Sequence, residues 1–140
     1  MLRDDRQVAL NQVIEAALSA AHAHEQGAAL LEDDPERAAV LQALAERRSH
    51  SATVLGEHLR RLGDLPKEPD ADLETARDLL ARVRVAFSGD KGEQVLQQAR
   101  DVEAHLAETV RSALEQDLPA DTRATLQDLL VEAESEGALG

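Results

Sequence analysis

Apolar positions recur every three or four residues along most of the chain, the period of a helix with one buried face rather than of a strand. Five such segments can be marked. The first runs from about Asp4 to Leu31, with the stripe Leu10, Ile14, Ala17, Ala21, His24, Ala28, Leu31. "EDDPERAAV" interrupts it: Asp34 suits a cap, and Pro35 suits the first helical position, where its missing N–H costs nothing. The second runs to about Leu62 with Leu41, Leu44/Ala45, Arg48, Ala52, Leu55, Leu59 and Leu62 in phase. "GDLPKEPDAD" reads as a loop. A shorter helix over about Asp72–Phe87 follows, then "SGDKGE", where Asp90 and Glu93 have capping-box spacing. The fourth runs from about Lys91 to Gln116 on Ala99, Glu103, Leu106, Val110 and Ala113. "DLPADT" breaks it, and Pro119 opens a last helix with Thr122, Leu126, Leu129, Leu130 and Ala133 inward.

The spacing of the breaks predicts topology. The first two long helices and the last two are joined by short links and should form antiparallel hairpins. Between the hairpins lies a loop plus a helix whose length, roughly 24 Å at 1.5 Å per residue, carries the chain back along the bundle. Two hairpins joined by one long crossover is the ferritin-like arrangement, not the up-down-up-down one. The expected fold is therefore all-α: a ferritin-like four-helix bundle with an extra short helix in the crossover, in one domain over 1–140.

Composition agrees and narrows the functions. About a third of the chain is Ala plus Leu, both good helix formers. Phe87 is the only aromatic residue of the Phe, Trp and Tyr set, which nearly excludes base stacking and aromatic cages. The formal charge of −13 argues against nucleic acid and anionic membranes as partners. There is no cysteine, hence no disulfide and no thiolate chemistry. No apolar run reaches membrane length, and the first residues carry acids where a secretory signal needs an apolar stretch, so a cytoplasmic location is expected.

Several short stretches, in order and at matching intervals, carry a resemblance: "LNQVIE", "DDPE", "LRRLG", "SGDKGEQVLQQARDVE" and "DLPADTR". Together they span nearly the whole chain, which resembles a bacterial ferritin-like four-helix-bundle family of unknown function, linked with stress responses. The resemblance implies a bundle that can self-associate, hence a homodimer, for which no residue of the sequence speaks. Two departures bear on chemistry. Where the resemblance implies acidic residues and an aromatic in the first helix, this chain has "AAHAHEQ"; where it implies a late His in the last helix, Gly137 stands.

The known chemistry of such bundles is a carboxylate-bridged pair of iron or manganese ions, built from inward Glu residues and two Glu-x-x-His motifs. The residues three before His22, His24, His50, His58 and His105 are Ser19, Ala21, Arg47, Leu55 and Val102, none acidic. Glu46–His50 and Asp101–His105 are four apart, but they lie away from the apolar stripes and read as solvated surface pairs. His22 and His24 are about 200° apart around the axis and cannot share an inward ion. His24 lies in the stripe, with Glu25 at its margin; the preferred reading of His24 is a core imidazole hydrogen-bonded to a neighbour, the alternative a metal ligand. Arg48, Glu103 and, on the last helix, Glu136 are the other polar residues on apolar faces. Arg48 with Glu103 reads as a structural ion pair that sets helix register; the alternative is a remodelled active site. A haem site lacks a second inward His, since His58 is only marginally inward.

The expectation is thus a non-enzymatic cytoplasmic bundle protein with an absent or vestigial di-metal site, stress-related by resemblance. No cofactor and no catalytic residue are assigned, and His24, Arg48, Glu103 and Glu136 form a core polar cluster. The alternatives are a ferroxidase-like or iron-handling protein that binds iron or manganese through non-standard ligands, and a helical adaptor that offers its acidic surface to a basic partner.

Overall fold

The computed structural model describes residues 4–63 and 91–136, with the side chain of Glu136 outside the described part. Four helices account for nearly all of it: α1 Asp5–Leu30, α2 Pro35–Arg61, α3 Lys91–Leu114 and α4 Ala120–Glu136. No strand occurs among the described residues. The crossover helix expected over about Asp72–Phe87, and the Asp90 half of the expected capping box, lie outside the described residues.

The helix ends follow local chemistry. Asp4 and Gln7 form a reciprocal capping box: Asp4 Oδ1 accepts from the Gln7 N–H at 2.9 Å and Gln7 Oε1 accepts from the Asp4 N–H at 2.9 Å. Asp34 caps α2 with Pro35 directly after it, as its sequence predicts. Gly63 ends α2 at a φ of 89°, a left-handed conformation that glycine adopts without strain.

A few contacts fix the directions. Gln7, at the start of α1, donates to the carbonyl of Leu62, just past the end of α2, at 2.7 Å. Gly27, late in α1, sits between Leu41 of early α2 and Val95 of early α3. So α1 runs antiparallel to both, and α2 and α3 run parallel. Late α2 meets early α4 through Arg61 and Asp121, so α4 is antiparallel to α2. The order is up, down, down, up.

The apolar core is in two parts. The larger joins all four helices around Leu10, Ile14, Leu55, Leu59, Leu106 and Leu126. The smaller is built from the end of α1 with Leu31 just after it, α2 and α3: Ala28, Leu31, Leu41, Leu44, Val95, Leu96 and Ala99. The α1, α2 and α3 stripes pass from one cluster to the other at His24, Arg48 and Glu103. No described helix is long and apolar enough to cross a membrane.

Candidate functional site

Those three residues form a buried polar layer between the clusters. His24 is 1% exposed, and Arg48 and Glu103 are 0% exposed. Each is carried inward by an otherwise apolar stripe, so the helical period that buries leucines on either side buries them too. Glu103 Oε1 accepts from Arg48 Nη2 at 2.5 Å and from Arg48 Nε at 2.9 Å. Its Oε2 accepts from His24 Nε2 at 3.0 Å and from Arg48 Nε at 3.1 Å. The remaining guanidinium nitrogen, Nη1, donates to Glu132 Oε2 of α4 at 3.2 Å. One arginine thus ties α2 to α3 and α4, and His24 adds α1.

The electrostatics follow from this geometry. Burial raises the cost of the Glu103 carboxylate, but the His24 and Arg48 hydrogen bonds and the Arg48 charge outweigh it and hold its pKa below the ordinary value. Burial likewise opposes the Arg48 charge, and Glu103, with Glu132 behind it, more than compensates and raises its pKa. The pair is therefore ionised. A carboxylate only accepts, so His24 donates its Nε2 proton to Glu103.

A divalent ion does not fit this layer. Both Glu103 oxygens are occupied by donors, and a guanidinium already stands within hydrogen-bond distance of them. A second cation would have to be buried beside the first, and the one further carboxylate at hand, the half-exposed Glu132, already accepts from Arg48. Among the described residues no group of three or more His, Asp or Glu side chains is placed to hold a metal.

The remaining sequence candidates are elsewhere. His22 is half-buried and Glu25 is exposed, so His24 alone of "HAHE" enters the layer. Glu46, His50, Asp101 and His105 are all exposed. Glu46, Arg47 and His50 line an open groove of about 520 Å³ with Glu132, while Arg48 stays sealed below. Glu136 ends α4, and its side chain lies outside the described residues. Glu132 joins the cluster although its helical phase does not point to it. It is off the α4 stripe and half-exposed, and the reach of Arg48 recruits it. His58, only marginally inward by its helical phase, is in fact buried and hydrogen-bonded to Thr122 at 2.8 Å. Asn11, off the α1 stripe, is also buried. The signal for Asn11 was its place beside Leu10 and Ile14, on the edge of an apolar face that proves wider than one stripe.

Residues 6–116 match the family model described as "Domain of unknown function (DUF2383)", a span that takes in α2, α3 and all but the first residue of α1. No curated protein and no solved structure matches the chain.

Proposed function

The chain belongs to the DUF2383 family, and from that premise we propose that it is a non-enzymatic, ferritin-like bundle protein of the bacterial cytoplasm with a role in stress responses. Its centre holds a structural ion pair where related architectures hold metals. The Arg48–Glu103 contact carries this reading. It uses both carboxylate oxygens, it is closed to solvent, and it supplies a positive charge at the point where metal chemistry would need a vacancy. The up-down-down-up order of the helices supports the ferritin-like part of it.

One observation favours a second reading, a metal-binding, ferroxidase-like protein. An imidazole and a carboxylate do converge from α1 and α3, and a second carboxylate, Glu132, lies just beyond. Elemental analysis of protein purified without chelators separates the two. The first reading expects no stoichiometric iron or manganese. Two tightly held ions per chain, lost on Glu103→Ala, would overturn it in favour of the second.

A further inference from the structure

His58 lies near the end of α2, buried against the first turns of α4. Its Nδ1 is 2.8 Å from the Arg61 guanidinium and 2.8 Å from Thr122 Oγ1. A guanidinium can only donate, so Nδ1 is an acceptor and the ring proton sits on Nε2, 3.4 Å from Thr125 Oγ1. The threonine hydroxyl could reverse its role if Nδ1 gained a proton. Arg61 could not. The carboxylate nearest the ring is Asp121, with Oδ2 3.9 Å from Nδ1, and it is already bound to Arg61 Nη1 at 2.7 Å. Arg61 from α2 and Asp121 from α4 are the charged groups that face the ring. Among the described residues, α1 and α3 bring no charged side chain into ion-pair contact with it. α2 and α4 touch far less than the other neighbouring helices do, so these few polar contacts carry much of their seam.

We propose that His58 is a proton-operated latch between α2 and α4. Neutral, it ties the start of α4 to the end of α2 through Thr122 and the Arg61–Asp121 pair. Protonated, it expels Arg61, sets two cations competing for Asp121, and releases the start of α4. Burial and the Arg61 charge, against a smaller pull from Asp121, keep the ring neutral below its ordinary pKa of 6.5. The sign follows: once pH falls below 6.5, an opened His58 takes up a proton that the closed one refuses, so acid favours opening.

NMR titration of the intact chain from pH 8 to 5 tests this, with amide exchange, corrected for intrinsic rates, followed in parallel. His58 should titrate below 6.5. Opening of the first turns of α4 should rise by up to about tenfold per pH unit in that window, while the middle of α1 keeps its protection. In His58→Asn, the side-chain oxygen can take the place of Nδ1 as acceptor but cannot be charged, so α4 should stay protected and lose the pH dependence. Unchanged protection through the His58 titration, or the same acid opening in His58→Asn, would sink the latch. Should His58→Asn lose protection at every pH, Arg61→Gln decides: it should raise the His58 midpoint, and an unmoved midpoint overturns the proposal.

Discussion

Arg48 and Glu103 stand on two parallel helices and meet side-on, with both guanidinium nitrogens on that edge bound to the carboxylate at 2.5–3.1 Å. Neither has access to water. A pair this deep is held by mutual need: the desolvation of each charge is offset chiefly by the other, with His24 helping Glu103 and Glu132 helping Arg48.

The first prediction follows from that need. Arg48→Ala and Glu103→Ala should each destabilise the chain by about 3–5 kcal/mol, because each leaves an unpaired charge in the core. Arg48→Met with Glu103→Leu should cost much less, since the penalty leaves with the charges. Urea unfolding of the two Met and Leu single variants and the double variant gives the coupling energy. A value near zero would mean that the two side chains do not depend on each other.

Acid should expose the same pair. Glu103 has its folded pKa held below the ordinary 4.5, whereas the unfolded chain carries it near that value. Below about 4.5 the unfolded state therefore binds more protons, and stability falls with falling pH until the folded pKa is passed. Above 4.5 the contribution of Glu103 is fully present and flat. Unfolding midpoints between pH 3 and 7 should show this acid limb, and the Arg48→Met, Glu103→Leu double variant should have a shallower one. Equal limbs in both proteins would assign the acid loss to other carboxylates.

His24 and Glu132 flank the pair and should behave unequally. His24 gives Glu103 Oε2 a donor inside the core, so His24→Leu should cost about 1–3 kcal/mol by leaving that oxygen short of a partner. His24→Gln, which can offer an N–H at similar reach, should recover part of it. Glu132 has a side chain that is 50% exposed, so water can replace it, and Glu132→Gln should change stability by no more than about 1 kcal/mol. Thermal unfolding of the three variants ranks them. A large loss in Glu132→Gln alone would show that α4 depends on this contact.

The layer was legible in the sequence because it interrupts a regular pattern. His24, Arg48 and Glu103 each fall where the helical period demands an apolar residue, and burial of the stripe takes them along. Helix limits were legible for local reasons, in the Asp34–Pro35 cap and in Pro119 just before α4. Other features depend on tertiary geometry that a single-helix pattern does not carry. Val13, Ala20 and Ala23 lie off the α1 stripe yet are buried, because α1 packs against α2 and α3 at once and needs two inner faces. Glu132 enters the cluster through the length of the Arg48 side chain, which no spacing within α4 reveals. His58 is buried because Thr122 and Arg61 close over it from two helices.

Gly27 gives a test of packing that involves no charge. It stands inside α1, where glycine costs about 1 kcal/mol relative to alanine, so the helix alone favours its replacement. The surroundings oppose it. A Cβ on Gly27 would lie 3.2 Å from Val95 Cγ1 and 3.3 Å from Leu41 Cδ1, closer than such contacts normally come. Both neighbours are side-chain ends in the smaller apolar cluster and can yield by a few tenths of an ångström. In Gly27→Ala the two effects should nearly cancel, leaving stability within about 1 kcal/mol of the parent. In Gly27→Leu nothing balances the added volume: three helices meet there, and overpacking of this kind costs about 1–3 kcal/mol or more. Urea midpoints of both variants decide the matter. A Gly27→Leu protein as stable as its parent would show that α1, α2 and α3 do not approach as closely at this level as the contacts of Gly27 require.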